Sequence, residues 1–500
     1  MVPDTSPRRF LVNTGVTAFT SAVNFFLGFL VLSAARQSLG DAGLGVWSLA
    51  MGLLVMSPLI DFGLGAALGI VVARHVGSGD GNRLNEALNA YASMAFPLAA
   101  VVTFAGVFAS PWLADSLMRN SEWNGQAATL FAFVFGVIGM QIAGSLIGGV
   151  LIGYQLLSEF RIWNLIWQTV KTLGIIWLLH RHADLHMIGW WLLIGSAGFI
   201  VTAWSLWMKR VPVRMKLARP SRAAIRELWH AALPLQLNRL AGSLLGQVDK
   251  FVLALFVGAV MAGWYELSAR LAGAILYLPG FMLAALAPAV AAISGSGAHD
   301  RALDMMRLSS RYLNLLVFPL AGFLWLYAPP LLHWWVGDVN GSVVISARVL
   351  LGMFFLLAVQ QPMINALLGM GKQHVVLRFS LIVVLLNVPV SAILVWHYGF
   401  LGACWGSLTT VVIASALFFA ALFRERIISA GCWKDAWLRP MPATAITILA
   451  MGILPLSPGS LPAVIKCLVV GGTLYFFLIF LTKAITMDDI KRFRAAWESR

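Results

Sequence analysis

From Phe379 to Phe423 the chain runs without a single Asp, Glu, Lys or Arg. A bilayer core is crossed by roughly 20 apolar residues in a helix, so this run is long enough for two crossings. It folds back at His397-Tyr398-Gly399. Eight more charge-free runs each fit one helix: Phe10–Ala35, Ala87–Ala114, Trp123–Ser158, Leu185–Met208, Leu271–His299, Tyr312–Gly337, Val349–Gly371 and Pro440–Ile465. Weaker spans, each interrupted by a charge, lie near 44–72, 162–179, 230–257 and 466–482. The whole chain is 60% apolar and 11% charged, against about 25% charged residues in soluble domains. The expected fold is therefore an all-α polytopic membrane protein with about 14 transmembrane helices.

The net charge of +15 tests the topology independently. With the N-terminus inside, 26 of the 35 basic residues fall in inner segments and five in outer ones. That is the positive-inside asymmetry, so the excess reads as an orientation signal and not as a nucleic-acid surface. Both termini are expected in the cytoplasm. The run from Phe10 is too long for a signal peptide and lacks a small-residue cleavage site, so it reads as a first span. Cys404, Cys432 and Cys467 show no CxxC spacing, which excludes disulfide and zinc frameworks. No metal site and no cofactor are expected.

Sliding the chain against itself by 218 residues aligns Gly28 with Gly246, Gly40 with Gly258, Gly45 with Gly263, and Leu49 with Leu267. The same register aligns Gly77-Ser78-Gly79 with Gly295-Ser296-Gly297 and Arg83 with Arg301. Both copies start inside, so they are parallel six-helix lobes, 1–208 and 230–423, joined by the basic cytoplasmic segment 209–229. An accessory helix pair, 424–482, stands outside the repeat and lines a groove or meets a partner. The tail 483–500 reads as a cytoplasmic amphipathic helix, with Ile490, Phe493 and Trp497 on one face. Transporters built from such halves hold substrate at the lobe interface and rock around it.

The runs Ala35-Arg36-Gln37-Ser38-Leu39-Gly40, Gly45-Val46-Trp47-Ser48-Leu49-Ala50 and Asp61-Phe62-Gly63-Leu64-Gly65 resemble a known family. So do Gln247-Val248-Asp249-Lys250 and Tyr265-Glu266-Leu267 in the second lobe. The family is the polysaccharide transporter, or oligosaccharide (O-antigen-type) flippase, branch of the multidrug/oligosaccharidyl-lipid/polysaccharide exporter superfamily. The resemblance implies translocation of undecaprenyl-diphosphate-linked sugar repeats across a bacterial inner membrane. Expected partners are the lipid-linked oligosaccharide, membrane lipids and polysaccharide polymerase or assembly proteins.

Charges inside spans are expensive, so each is a functional candidate. Lys250 lies eight residues before the outer turn at Gly258 and Glu266 eight after it, which puts both at one depth on antiparallel helices. With Asp249 and Arg270 they form a cluster of zero net charge. It reads either as a structural pin or as a site: Lys250 or Arg270 for a diphosphate, Asp249 or Glu266 for a coupling ion. Arg239, eleven residues before Lys250, lies on the same helix face, since eleven residues nearly complete three turns. Arg239 and Lys171 lack local acid partners and suit an anionic lipid diphosphate, the alternative being a bond to Asp61, itself a coupling-ion candidate. Gln141, Gln155, Gln168, Gln236, Gln247, Asn13, Asn24 and Asn238 suit either sugar hydroxyls or bonds across helices.

The leading reading is a flippase. The alternatives are an ion-coupled multidrug or metabolite exporter of the same fold and, less favoured, a membrane-embedded polysaccharide-modifying enzyme. Catalysis needs a positioned acid or base, and all nine histidines fall in loops or near span ends, so no catalytic residue and no enzyme activity are expected.

Overall fold

The computed structural model describes residues 7–118, 121–212, 215–244, 246–283, 286–295, 298–425, 427–428, 430–453 and 461–482. The expected amphipathic tail, and the 296–297 half of the second Gly-Ser-Gly turn, lie outside the described residues. Those described form helices joined by short turns, as a chain in hydrocarbon must if its backbone is to satisfy its own polar groups. By length and composition ten of them cross a membrane, or eleven counting one pair bent by 69°. The chain is a multi-pass, all-α membrane protein. The sequence count of about 14 is larger because several spans are broken into pieces.

The chain divides into two compact units, residues 1–266 with 387–403, and residues 267–386 with 404–500. The first contains α1 (Pro7–Val55), α2 (Ser57–Ile60), α3 (Leu64–Ser78), α4 (Gly81–Met118), α5 (Asn124–Gly153), α6 (Leu157–His180), α7 (Leu185–Arg210), α8 (Arg222–Leu244), α9 (Gln247–Phe256) and the start of α10 (Ala259–Gly273). The span expected at 44–72 starts inside α1, which kinks at Gly40, φ 66°. It breaks at Met56–Gly63, where Pro58 opens α2 and Phe62 and Gly63 take positive φ. The span expected at 230–257 breaks at Gly246, φ 80°.

Glycines set how closely these helices approach. A Cβ on Gly45 would fall on the Ala259 carbonyl oxygen, and one on Gly263 would lie 3.0 Å from the Gly45 nitrogen. These are the two glycines matched by the 218-residue repeat, and they face one another where α1 crosses α10. Gly149 and Gly153 of α5 likewise admit Leu68 and Val72 of α3.

The second unit holds the rest of α10, then α11 (Tyr277–Met282), α12 (Leu286–Gly295), α13 (His299–Leu326), α14 (Ala328–Val336), α15 (Gly341–Gly369) and most of α16 (Gln373–Tyr398) and α17 (Phe400–Arg424). It ends in α18 (Ala430–Leu438), α19 (Pro440–Ile453) and α20 (Leu461–Leu481). The reversal expected at His397-Tyr398-Gly399 is a one-residue turn on Gly399, φ 58°. The accessory pair is α19 and α20. It packs on α13 through Leu315, Ala443, Tyr475, Leu478 and Ile479, and the Tyr475 hydroxyl donates to the Leu315 carbonyl at 2.8 Å.

Adding a methyl to Gly45 forces α1 away from α10, and such overpacking costs about 1–3 kcal/mol. Gly45→Ala is expected to lower the thermal unfolding midpoint of the detergent-purified protein. Gly125→Ala, whose added methyl meets nothing within 4 Å, leaves it unchanged or raises it. Equal responses would remove the close-contact argument.

Candidate functional site

A cavity of about 440 Å³ opens inside the first unit, walled by the break at Met56–Gly63 and by α3, α5, α6 and α7. The break exists because Pro58 and Gly63 interrupt the helix, and Asp61 repairs its backbone: the Gly63 amide donates to Asp61 Oδ1 at 2.7 Å. Gly65 keeps the space beside Asp61 open, since a Cβ there would meet Ser145 Cβ at 2.7 Å and Asp61 Oδ2 at 3.4 Å. On the opposite wall, α6 presents Asn164, Trp167, Gln168 and Lys171 at helical spacing. The stem of Lys171 lies in a notch made by Gly195 of α7, where any Cβ would overlap Lys171 Cγ. Trp191 Nε1 donates to the Lys171 carbonyl at 3.1 Å and sits over Gly174. Two glycines and a tryptophan thus fix one lysine.

The Lys171 side chain is half-buried, and among the described residues its ammonium has no ion-pair or hydrogen-bond partner. It makes no ion pair with Asp61, although both line this cavity. Two more polar atoms on the wall, Trp167 Nε1 and Ser196 Oγ, are buried without a partner among the described residues. Buried polar groups are normally hydrogen-bonded, so orphans in one cavity mark a place built for a polar ligand. Gln141 is engaged on one side, accepting from Ser57 Oγ at 2.6 Å. The cavity offers a cation, an acid, amides, an indole N–H and the rings of Phe160 and Phe199. That set can hold a hydroxylated, anionic molecule.

The structure separates the other sequence candidates from this cavity. Lys250 Nζ donates to Glu266 Oε2 at 2.7 Å, across the turn at Gly258. Lys250 is 3% exposed, and the neighbouring Asp249 carboxylate accepts from the Tyr265 hydroxyl at 2.8 Å. Sequence reasoning gave Tyr265 no role, though it stands one residue from Glu266 as Asp249 stands one from Lys250. Arg270 lies in the last turn of α10, half-buried, in the second unit. Arg239 is in α8, and its side chain lies outside the described residues. The argument that Arg239 and Lys250 share one helix face requires a continuous helix; Gly246 breaks it, and the register does not carry across. Gln236 serves the backbone, donating to the Leu59 carbonyl at 2.7 Å across the break. Arg36 pairs with Asp41 at 3.0 Å.

A second cavity, about 630 Å³, lies in the second unit among α13, α19 and α20. Apart from Tyr312, Tyr327, Tyr475, Thr444 and Thr447 its wall is apolar. Its chemistry suits hydrocarbon.

The first unit is thus a bundle of broken and glycine-notched helices around a polar cavity. Several solved structures share the fold. The lipid II flippase MurJ, in an inward closed conformation, superposes with a TM-score of 0.72 at 12% identity, covering 93% of this chain and 97% of the flippase. An inward-facing MATE family multidrug resistance transporter of the MOP superfamily gives 0.66 at 16% identity, covering 82% and 95%. A MOP superfamily transporter from Pyrococcus furiosus, described as having a binding pocket of reverse polarity, gives 0.60 at 14% identity, covering 84% and 95%. At these identities the likeness is one of fold. No curated protein matches the chain. A family model described as "Polysaccharide biosynthesis protein" matches residues 10–294, and the chain belongs to that family.

The Lys250–Glu266 pair is buried, so removing one partner strands the other charge at about 3–5 kcal/mol. Lys250→Met is expected to depress the unfolding midpoint strongly, and Lys250→Met combined with Glu266→Gln to recover most of the loss. A single variant as stable as the parent would show that the pair does not hold α9 to α10.

Proposed function

We propose that this protein is a flippase. It moves undecaprenyl-diphosphate-linked oligosaccharide repeat units across the bacterial inner membrane by alternating access, for cell-surface polysaccharide such as O-antigen or for exopolysaccharide. It is a transporter and not an enzyme, works beside polymerase and assembly proteins, and keeps both termini in the cytoplasm. The repeat units 1–208 and 230–423 are its rocking lobes. The observation that carries this reading is Lys171: a membrane-embedded cation without a partner among the described residues, held by Gly195 in a cavity with orphaned donors. In hydrocarbon such a charge is stable only when wetted or neutralised. A diphosphate neutralises it, while Trp167, Ser196, Gln141, Gln168 and Asn164 meet sugar hydroxyls. The family description and the lipid II flippase fold support the same substrate class. Arg239, Lys250 and Arg270 stay candidates for further phosphate contacts, and Asp61, Asp249 and Glu266 for the coupling ion.

Asp61 on the same cavity wall, with the multidrug transporter fold, favours a second reading, an ion-coupled exporter. The two separate experimentally. A deletion strain is expected to accumulate undecaprenyl-linked repeats on the inner leaflet. Lys171→Ala is expected to reduce surface polysaccharide at least tenfold at unchanged membrane abundance, and Lys171→Arg to retain most of it. Changed drug sensitivity with normal polysaccharide would transfer the reading to the exporter, and normal export by Lys171→Ala would end the cationic-cavity model.

A further inference from the structure

The stretch 215–221 between α7 and α8 is not helical, yet it is not loose. Asn85 and Asn89, four apart on one face of α4, hold its backbone as a neighbouring strand would. Asn85 Nδ2 donates to the Lys216 carbonyl at 3.0 Å and Asn85 Oδ1 accepts from the Lys216 amide at 2.8 Å. Asn89 Nδ2 donates to the same carbonyl at 2.8 Å and Asn89 Oδ1 accepts from the Ala218 amide at 3.0 Å. The acids of this face are already engaged. Glu86 accepts from Ser221 Oγ at 2.6 Å, and Glu227 binds Arg74 at 2.9 Å and His75 at 3.3 Å. Lys209, Arg210, Lys216, Arg219 and Arg222 remain, all exposed and without an ion-pair partner among the described residues. Between Lys216 and Arg219 stands Leu217, 91% exposed.

An orientation signal is read from the charge of the inserting chain and needs no fixed geometry; a loose basic loop would serve equally. Like charges held on a fixed backbone repel over a Debye length of about 8 Å, unless a layer of anions lies against them. A bare leucine flanked by cations fits the boundary between headgroups and acyl chains, and not a free phosphate in water. We propose that these five cations form a rigid shelf that binds the phosphates of anionic phospholipids, with Asn85 and Asn89 as positioning residues. This holds whatever the transported substrate is.

The test uses the full chain in nanodiscs of phosphatidylcholine and phosphatidylglycerol, with retained lipid counted by native mass spectrometry. The protein is expected to enrich phosphatidylglycerol. Each cation near an anionic surface contributes about fivefold, so Lys216→Ala/Arg219→Ala/Arg222→Ala is expected to lower the enrichment about a hundredfold. Arg301→Ala/Arg378→Ala/Arg424→Ala, which removes three exposed cations elsewhere, leaves it intact. Asn85→Ala/Asn89→Ala keeps every charge and is expected to lose at least tenfold. No enrichment by the parent protein, or an equal loss in both triple variants, overturns the shelf. Full enrichment in the asparagine variant overturns the positioning role. Displacement of phosphatidylglycerol by tenfold less undecaprenyl diphosphate overturns the assignment to phospholipid.

Discussion

In hydrocarbon no water is available to satisfy an open backbone amide or carbonyl, so a helix can be broken only where other groups take up the freed positions. The first unit depends on that repair at Met56–Gly63. Asp61 Oδ1 accepts the Gly63 amide, the Leu64 amide donates back to the Asp61 carbonyl at 3.0 Å, and Gln236 reaches over from α8 to the Leu59 carbonyl. With those bonds made, the chain turns inside the span and exposes the wall of a polar cavity. Asp61 therefore does structural work whatever else it does, and its carboxylate is held in place before any ion arrives. A second interruption lies between α10 and α12, where a short 3₁₀ turn at Ala274–Leu276 and the Pro279 of α11 replace a continuous helix.

Close approach supplies the rest of the geometry. Membrane helices gain no hydrophobic driving force from meeting each other, so small residues that let backbones touch decide which helices pair. Gly45 against Gly263 does this between the repeats. Gly195 does something different: it leaves a slot filled by a lysine stem, so the ammonium is aimed and not merely tolerated. A residue larger than glycine at 195 and a free rotamer at Lys171 are incompatible on this backbone.

The spans, the reversal at Gly399 and the nearness of Lys250 to Glu266 were legible because they rest on quantities a sequence carries directly: run length, a turn residue, and equal spacing about a glycine. The wall of the Lys171 cavity was not. It joins residues more than a hundred positions apart, and its defining contact, Gly195 under Lys171, depends on how α6 meets α7. The sequence placed the substrate at a lobe interface; the cavity that holds Lys171 lies inside one bundle. The face shared by Arg239 and Lys250 failed for the opposite reason. Periodicity assumes an unbroken helix, and Gly246, whose only warning was its identity, takes a positive φ between them. The aligned Gly28 gave no further signal, since it sits inside α1 without a positive φ.

The net charge of +15 then divides by geometry and not only by side of the membrane. Some cations are paired, as Arg74 is with Glu227 and Lys250 with Glu266. Some are exposed and have no fixed neighbour to explain their position, and orienting the chain accounts for them fully. Two groups remain after that subtraction. Lys171 is embedded and aimed by glycine; the cations between α7 and α8 are exposed, and their backbone is pinned by asparagine. Orientation requires neither arrangement, because each fixes a charge in the finished fold, after insertion has ended.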